Sequence, residues 1–149
     1  MKMSNRFVKL KENAVLPTRA TKNSAGYDFS IPEEPGRVYL IRPGETLKIK
    51  TGIAVKLDSN KYLAILVRSS IGIKKHLELA NGTAIIDADF YGNPDNGGEI
   101  TLALYNYGEK AAELKAGERI AQGVICQYFK AAGDKADADR SGGIGSTGK

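Results

Sequence analysis

Short runs in which apolar and polar residues alternate, or in which several apolar residues follow one another, recur along the chain between clusters of turn-forming residues. Successive side chains of a strand point to opposite faces, so a period of two marks a half-buried strand and a short apolar run marks a buried one. On that basis Phe7–Leu10, Val38–Ile41, Thr46–Lys50, Ile53–Leu57, Tyr62–Val67, Thr83–Ile86, Glu99–Tyr105 and Ala121–Phe129 read as strands. Pro35-Gly36, Pro43-Gly44, Asp58 to Asn60, Asn81-Gly82 and the longer Gly92 to Gly98 separate them. One or two helical turns are predicted after Ser69, through Ile71 to Lys75. Strands this short and evenly spaced predict an antiparallel all-β sandwich, jelly roll or barrel rather than a parallel α/β sheet. From Ala131 to Lys149 the only apolar residue larger than alanine is Ile144. A packed β domain over 1–130 and a flexible C-terminal tail over 131–149 follow from that shift.

Composition narrows the partners. A chain of 149 residues is one domain with a self-sufficient core. Its 22 Lys+Arg against 17 Asp+Glu give a net charge of +5, which suits an anionic partner. A modest basic excess selects a nucleotide as easily as a nucleic acid, but the longest basic run is Lys74-Lys75, so the footprint of a nucleic-acid binder is weak. No apolar run reaches the roughly 18 residues of a membrane span, and the N-terminus does not resemble a signal peptide. A cytoplasmic protein that binds neither membrane nor nucleic acid is expected. The one cysteine, Cys126, lies among strand-like apolar residues and reads as core. The one histidine, His76, reads as a surface or interface residue, and no His/Cys set for zinc exists.

Candidate chemistry collects in five places. The tail from Arg140 to Lys149 combines glycines, whose backbone N–H groups approach anions closely, with Ser146, Thr147 and a cation at each end. Its glycines match the spacings of a phosphate loop and of a dinucleotide fingerprint, but each of those needs a following helix. Asp87 ends an apolar strand, where partial desolvation suits a base that deprotonates water, or simply a strand-ending turn. Arg68, Ser69 and Ser70 stand where a strand turns into a helix, as an anion cradle or as a surface charge with an N-cap. Asp28 leaves a polar loop, to face a metal or simply to form a turn, and Gln122 enters the last strand as a candidate side-chain donor.

In this order and at these spacings the segments resemble the trimeric deoxyuridine triphosphatases (dUTPases). The five motifs of that family fall at Ala25 to Asp28, Arg68 to Ser70, Thr83 to Gly92, Gly117 to Gln122 and Arg140 to Gly148, with further likeness at Leu16 to Thr21 and Thr51 to Val55. The resemblance covers nearly the whole chain. It implies a jelly-roll-like β-sandwich assembled as a homotrimer, with each active site shared and the tail of one subunit closing it. It also implies hydrolysis of dUTP to dUMP and pyrophosphate with Mg²⁺, by water attack on the α-phosphorus. That reaction supplies dUMP and keeps uracil out of DNA.

By the same resemblance Asp87 would be the general base. Asn81 and the Leu79 to Ala84 hairpin would read the uracil, with Ile86 on the same substrate-binding segment. Phe90 would stack beneath the deoxyribose and leave no room for a 2′-hydroxyl. Arg68, Ser69, Ser70 and Gln122 would hold phosphates, and Asp28 would meet the Mg²⁺ shell through water. Arg140, Ser146 and Thr147 would clamp the β- and γ-phosphates, with Ile144 and Gly145 also against the substrate.

Three positions depart from the pattern. Phe90 replaces the usual Tyr and keeps the stacking face. Ile144 replaces the usual Phe, which forfeits about 0.5–1.5 kcal/mol of aromatic stacking. Gly92 to Gly98 lengthens the segment after the third motif, reads as an enlarged hairpin, and is the only hint of a protein partner. A dCTP deaminase of the same fold and a nucleotide-dependent regulatory protein are the alternatives.

Overall fold

The computed structural model describes residues 4–142. In chain order its strands are β1 (Arg6–Lys9), β2 (Thr18–Arg19), β3 (Tyr27–Ser30), β4 (Val38–Ile41), β5 (Thr46–Lys50), β6 (Ile53–Lys56) and β7 (Lys61–Val67). The helix α1 (Ser69–Lys75) precedes β8 (Leu77–Leu79) and β9 (Ala84–Asp87), and a 3₁₀ turn, Ala88–Phe90, follows β9. The strands β10 (Thr101–Asn106), β11 (Ala112–Lys115) and β12 (Arg119–Gln127) complete the order. Four sheets result: β1-β6, β11-β4, β5-β10-β8 and a five-stranded sheet β2-β3-β12-β7-β9. Every pairing is antiparallel. No helix among the described residues is long and apolar enough to cross a membrane.

One core joins the sheets. Phe29, Ile31, Ile41, Leu63, Ile65, Leu102, Leu104 and Ile120 are each at most 1% exposed, and each contributes about 1.5–3 kcal/mol by burial. The five-stranded sheet supplies one wall. Its inner face carries Phe29, Leu63, Ile65 and Ala121. Gly123 belongs to that face because any Cβ there would sit 2.9 Å from both Leu63 and Phe29.

The outer face of the same sheet is set by register. Asp28, Gln122 and Leu66 lie in one row, Val124, Ala64 and Ile85 in the next, and Cys126, Tyr62 and Asp87 in a third. This face is apolar yet half open: Leu66 is 42% exposed and Ile85 52%. Asp28 and Gln122 stand at one end of it, Asp87 at the other.

The predicted elements over 38–41, 46–50 and 69–75 coincide with β4, β5 and α1, and the other predicted strands shift by one or two residues at their ends. Four strands, β2, β3, β8 and β11, lie in segments read as loops or left unassigned. The Leu79–Ala84 segment is not a hairpin of paired strands. Although Gly82 closes a turn on the Leu79 carbonyl at φ 72°, β8 pairs with β10 and β9 with β7, so the turn carries the chain from one sheet to another. Cys126 is half-buried on the open face rather than in the core.

Candidate active site

Two groups of site residues form in the chain. The first is built where β7, β3 and β12 meet. Arg68 leaves β7 in extended conformation and caps α1 through its carbonyl, which accepts the N–H groups of Ile71 and Gly72. The cap is thus Arg68 itself; Ser69 and Ser70 are helical, and their exposed hydroxyls stay free of capping. Asp28 lies across from Gln122 in the β3–β12 ladder. Its side chain is only 12% exposed, and its two oxygens face two guanidinium groups: Arg68 Nε at 3.4 Å and Arg119 Nη1 at 3.1 Å. Gln122 Oε1 lies over Gly26, where a Cβ would approach to 2.6 Å, so glycine is what admits the Gln122 side chain. Arg68 and Arg119 thus face one carboxylate, with Gln122 across the ladder from it and Ser69 and Ser70 next to Arg68 in the chain. Arg119 was not predicted; its signal was the arginine inside Gly117 to Gln122, which reads as an ordinary strand-end charge.

The second group forms at the far end of the open face. Asp87 ends β9 opposite Tyr62, and the turn Ala88–Phe90 carries Asp89 and Phe90 beyond it. Arg140, 14% exposed, reaches both carboxylates, with Nη2 2.6 Å from Asp87 Oδ2 and Nε 2.7 Å from Asp89 Oδ1. The expected desolvation of Asp87 is not found within the chain, where its side chain is 53% exposed. The strand before it is apolar, but the strand end projects past the core. Tyr62, Ile85, Tyr128 and Asp87 line a hollow of about 280 Å³ beside this group. Hydrogen bonding to the adjacent Cys126, then the charge of its thiolate and slight burial, raises the Tyr62 phenol above its ordinary value of 10.0.

Of the remaining predicted residues, Asn81 is exposed in the turn between β8 and β9. Ala84 is buried, and Ile86 packs against the core, so neither presents its side chain outward. Ile144, Gly145, Ser146 and Thr147 lie outside the described residues. His76 is exposed, in the left-handed conformation that ends α1.

The two groups are separated. Tyr62, paired with Asp87, and Arg68 stand at opposite ends of β7, about 20 Å apart at the rise of an extended strand. The dUTPase family model matches residues 12–148. The chain belongs to the dUTPase family. It is 37% identical over 135 residues to a deoxyuridine 5′-triphosphate nucleotidohydrolase of Lactococcus lactis, covering 89% of this chain and 87% of that protein. It is 36% identical over 152 residues to the mouse protein of the same name, covering 98% and 86%. A crystal structure of the dUTPase from Streptococcus mutans matches with a TM-score of 0.74 at 32% identity, over 86% of this chain and 99% of that one. A dUTPase of Staphylococcus bacteriophage 80alpha shares the fold, with a TM-score of 0.73 at 23% identity over 93% and 99%.

For a dUTPase-family site the metal question turns on Asp28. Among the described residues no three His, Cys, Asp or Glu side chains group to hold an ion. Both Asp28 oxygens already face arginines, so a bare cation there would compete with two guanidinium groups. With no protein cage among the described residues, the donor set is compatible with an Mg²⁺ that a bound phosphate ligand would carry.

Proposed function

We propose that this chain hydrolyses dUTP to dUMP and pyrophosphate in the cytoplasm, at sites completed between the subunits of a homotrimer. The observation that carries the reading is the separation of Asp87 from the Arg68–Asp28–Gln122 group along one half-open apolar sheet face. Within one chain a bound triphosphate at Arg68 leaves Asp87 a strand's length away. Packing that face against a second copy buries Leu66, Ile85 and Val124 and brings a cationic group up to each Asp87. Cyclic association of identical chains through one head-to-tail contact is an ordinary way to complete such a half-site.

The work of each residue follows. Arg68, Ser69, Ser70 and Gln122 hold the phosphates, and Asp28 keeps Arg68 and Arg119 in place and meets the metal shell through water. Asn81 and the backbone of the turn from Leu79 to Ala84 read the uracil; Ile86, facing the core, adds only its backbone. Phe90 lies under the deoxyribose. Asp87 accepts a proton from water as that water's oxygen bonds to the α-phosphorus and the α–β bridging bond breaks, with pyrophosphate taking the electron pair. Mg²⁺, when bound with the nucleotide, neutralises charge that builds on the phosphate oxygens.

Arg140 gives the cycle a closing step. Within the chain its guanidinium pairs with Oδ2 of Asp87, the carboxylate proposed as the base. Triphosphate oxygens are the competing partner, so Arg140 moves to the β- and γ-phosphates as the tail closes, with Ile144, Gly145, Ser146 and Thr147, and Asp87 is released to work. A monophosphate offers no such exchange.

Pyrophosphate release from dUTP, UTP, dTTP and dCTP with Mg²⁺, for the wild type beside Asp87→Asn, tests this. Turnover of dUTP alone, reduced about 10²–10⁴-fold in the variant, is expected. Absence of dUTP turnover in the wild type overturns the reading, and ammonia release from dCTP transfers it to the deaminases.

A further inference from the structure

The segment Gly92–Gly98 has no role so far, and its hydrogen bonds point back into the chain. Gly92 N–H donates to the Gly97 carbonyl at 3.1 Å, Gly97 N–H to that of Asn93 at 2.7 Å, and Asn93 N–H to that of Phe90 at 3.2 Å. Asn93 is 4% exposed and its Oδ1 accepts the Asp95 N–H at 3.0 Å. Asn96 Oδ1 accepts the Gly98 N–H at 2.9 Å. Gly98, at φ 86°, passes so close to the 3₁₀ turn that a Cβ would lie 2.6 Å from the Phe90 oxygen and 3.0 Å from the Tyr91 Cα.

The far side of the segment is anchored as firmly. A Cβ on Gly97 would meet Leu10 at 3.7 Å. Glu99, 8% exposed, pairs with Lys11 Nζ at 2.9 Å and accepts the Gly52 N–H at 2.9 Å. The loop is therefore a wedge, tied to the β1–β6 corner at one side and pressed on the Phe90–Tyr91 backbone at the other. A three-residue 3₁₀ turn has few hydrogen bonds of its own, in poorer geometry than an α-helix. Rejection of a 2′-hydroxyl by lack of room depends on where that residue stands, to a fraction of an ångström.

We propose that the Gly92–Gly98 loop is the positioning element for sugar selection, and that Gly98 sets the height of Phe90 by permitting this close approach. The inference rests on the reading of Phe90 as the surface beneath the deoxyribose. The dUTP:UTP ratio of kcat/KM is measured for the wild type, Gly98→Ala, Asn96→Ala and Phe90→Ala, and for the two loop substitutions in the Phe90→Ala background.

Gly98→Ala is expected to lower the ratio about tenfold, mainly through a higher kcat/KM for UTP, with kcat for dUTP within about twofold because Asp87 is untouched. Asn96→Ala, which only loosens Gly98, is expected to lower it about threefold. Neither should change the ratio once Phe90 is removed. An unchanged ratio in folded Gly98→Ala overturns the proposal, as does an equal loss in both backgrounds. Should Gly98→Ala fail to fold, Asn96→Ala in the two backgrounds decides by the same criterion. If Phe90→Ala alone leaves the ratio intact, the stacking reading itself falls. If Phe90→Ala lowers the ratio and the loop variants do not, only the loop's role is lost.

Discussion

On the proposed reading Asp28 does two jobs at different strengths, steadying the fold and aiming two arginines. Its pairs with Arg68 and Arg119 involve guanidinium groups 30% and 53% exposed, so screening limits each to about 0.2–1 kcal/mol of stability. Orientation is the larger matter, because an arginine that grips phosphate bidentately must be aimed. Asp28→Asn keeps the size of the side chain and loses the charge that holds both arginines. Initial-rate kinetics should show the KM for dUTP rising about tenfold or more, while the unfolding midpoint moves by only a few degrees. Equal losses in KM and stability would mean that Asp28 serves the fold and not the phosphates.

At the scale of elements, buried polar residues fasten the small sheets to one another. Asn106, fully buried at the end of β10, donates from Nδ2 to the Ile41 carbonyl of β4 at 2.8 Å and to the Lys110 carbonyl at 2.9 Å, and its Oδ1 accepts the Gly108 N–H at 2.8 Å. Asn106→Ala leaves those backbone groups without partners at a cost of about 1–3 kcal/mol, readable as a lower denaturant midpoint with dUTP turnover at low temperature unchanged. This tie was invisible in the sequence, where Asn106 only punctuates an apolar run. The same difference separates the strands that could be read from those that could not. β4, β5 and β7 carry their own alternation, and α1 has its helical turn between a strand and two lysines. β2 and β8 are two and three residues long, too short for any period to register, and exist because β3 and β10 hydrogen-bond to them. The motif residues were legible individually because their chemistry is in their side chains. Their division into two distant groups was not, since it depends on the register of β7 against β9 and β12.

That division decides how the whole molecule should behave. On the proposed reading neither group works without the other: cations and an amide stand at one end of the open face, and Asp87, the proposed general base, at the other. Two crippled chains then make a decisive pair. Asp87→Asn removes the proposed base and leaves Arg68 intact; Arg68→Ala removes the proposed phosphate grip and leaves Asp87 intact. Each variant alone should be nearly inactive. If every site takes Asp87 from one subunit and Arg68 from another, co-refolding the two at equal concentrations lets intact sites form. Random assembly gives a site both intact halves with a probability of one half times one half, so activity should return to about a quarter of the wild type. A site contained in one chain would recover nothing at any mixing ratio. The recovered fraction, measured as pyrophosphate release across mixing ratios, should follow the product of the two mole fractions and peak at equal amounts. That curvature separates a shared site from trace wild-type contamination, which would vary linearly with the contaminated component.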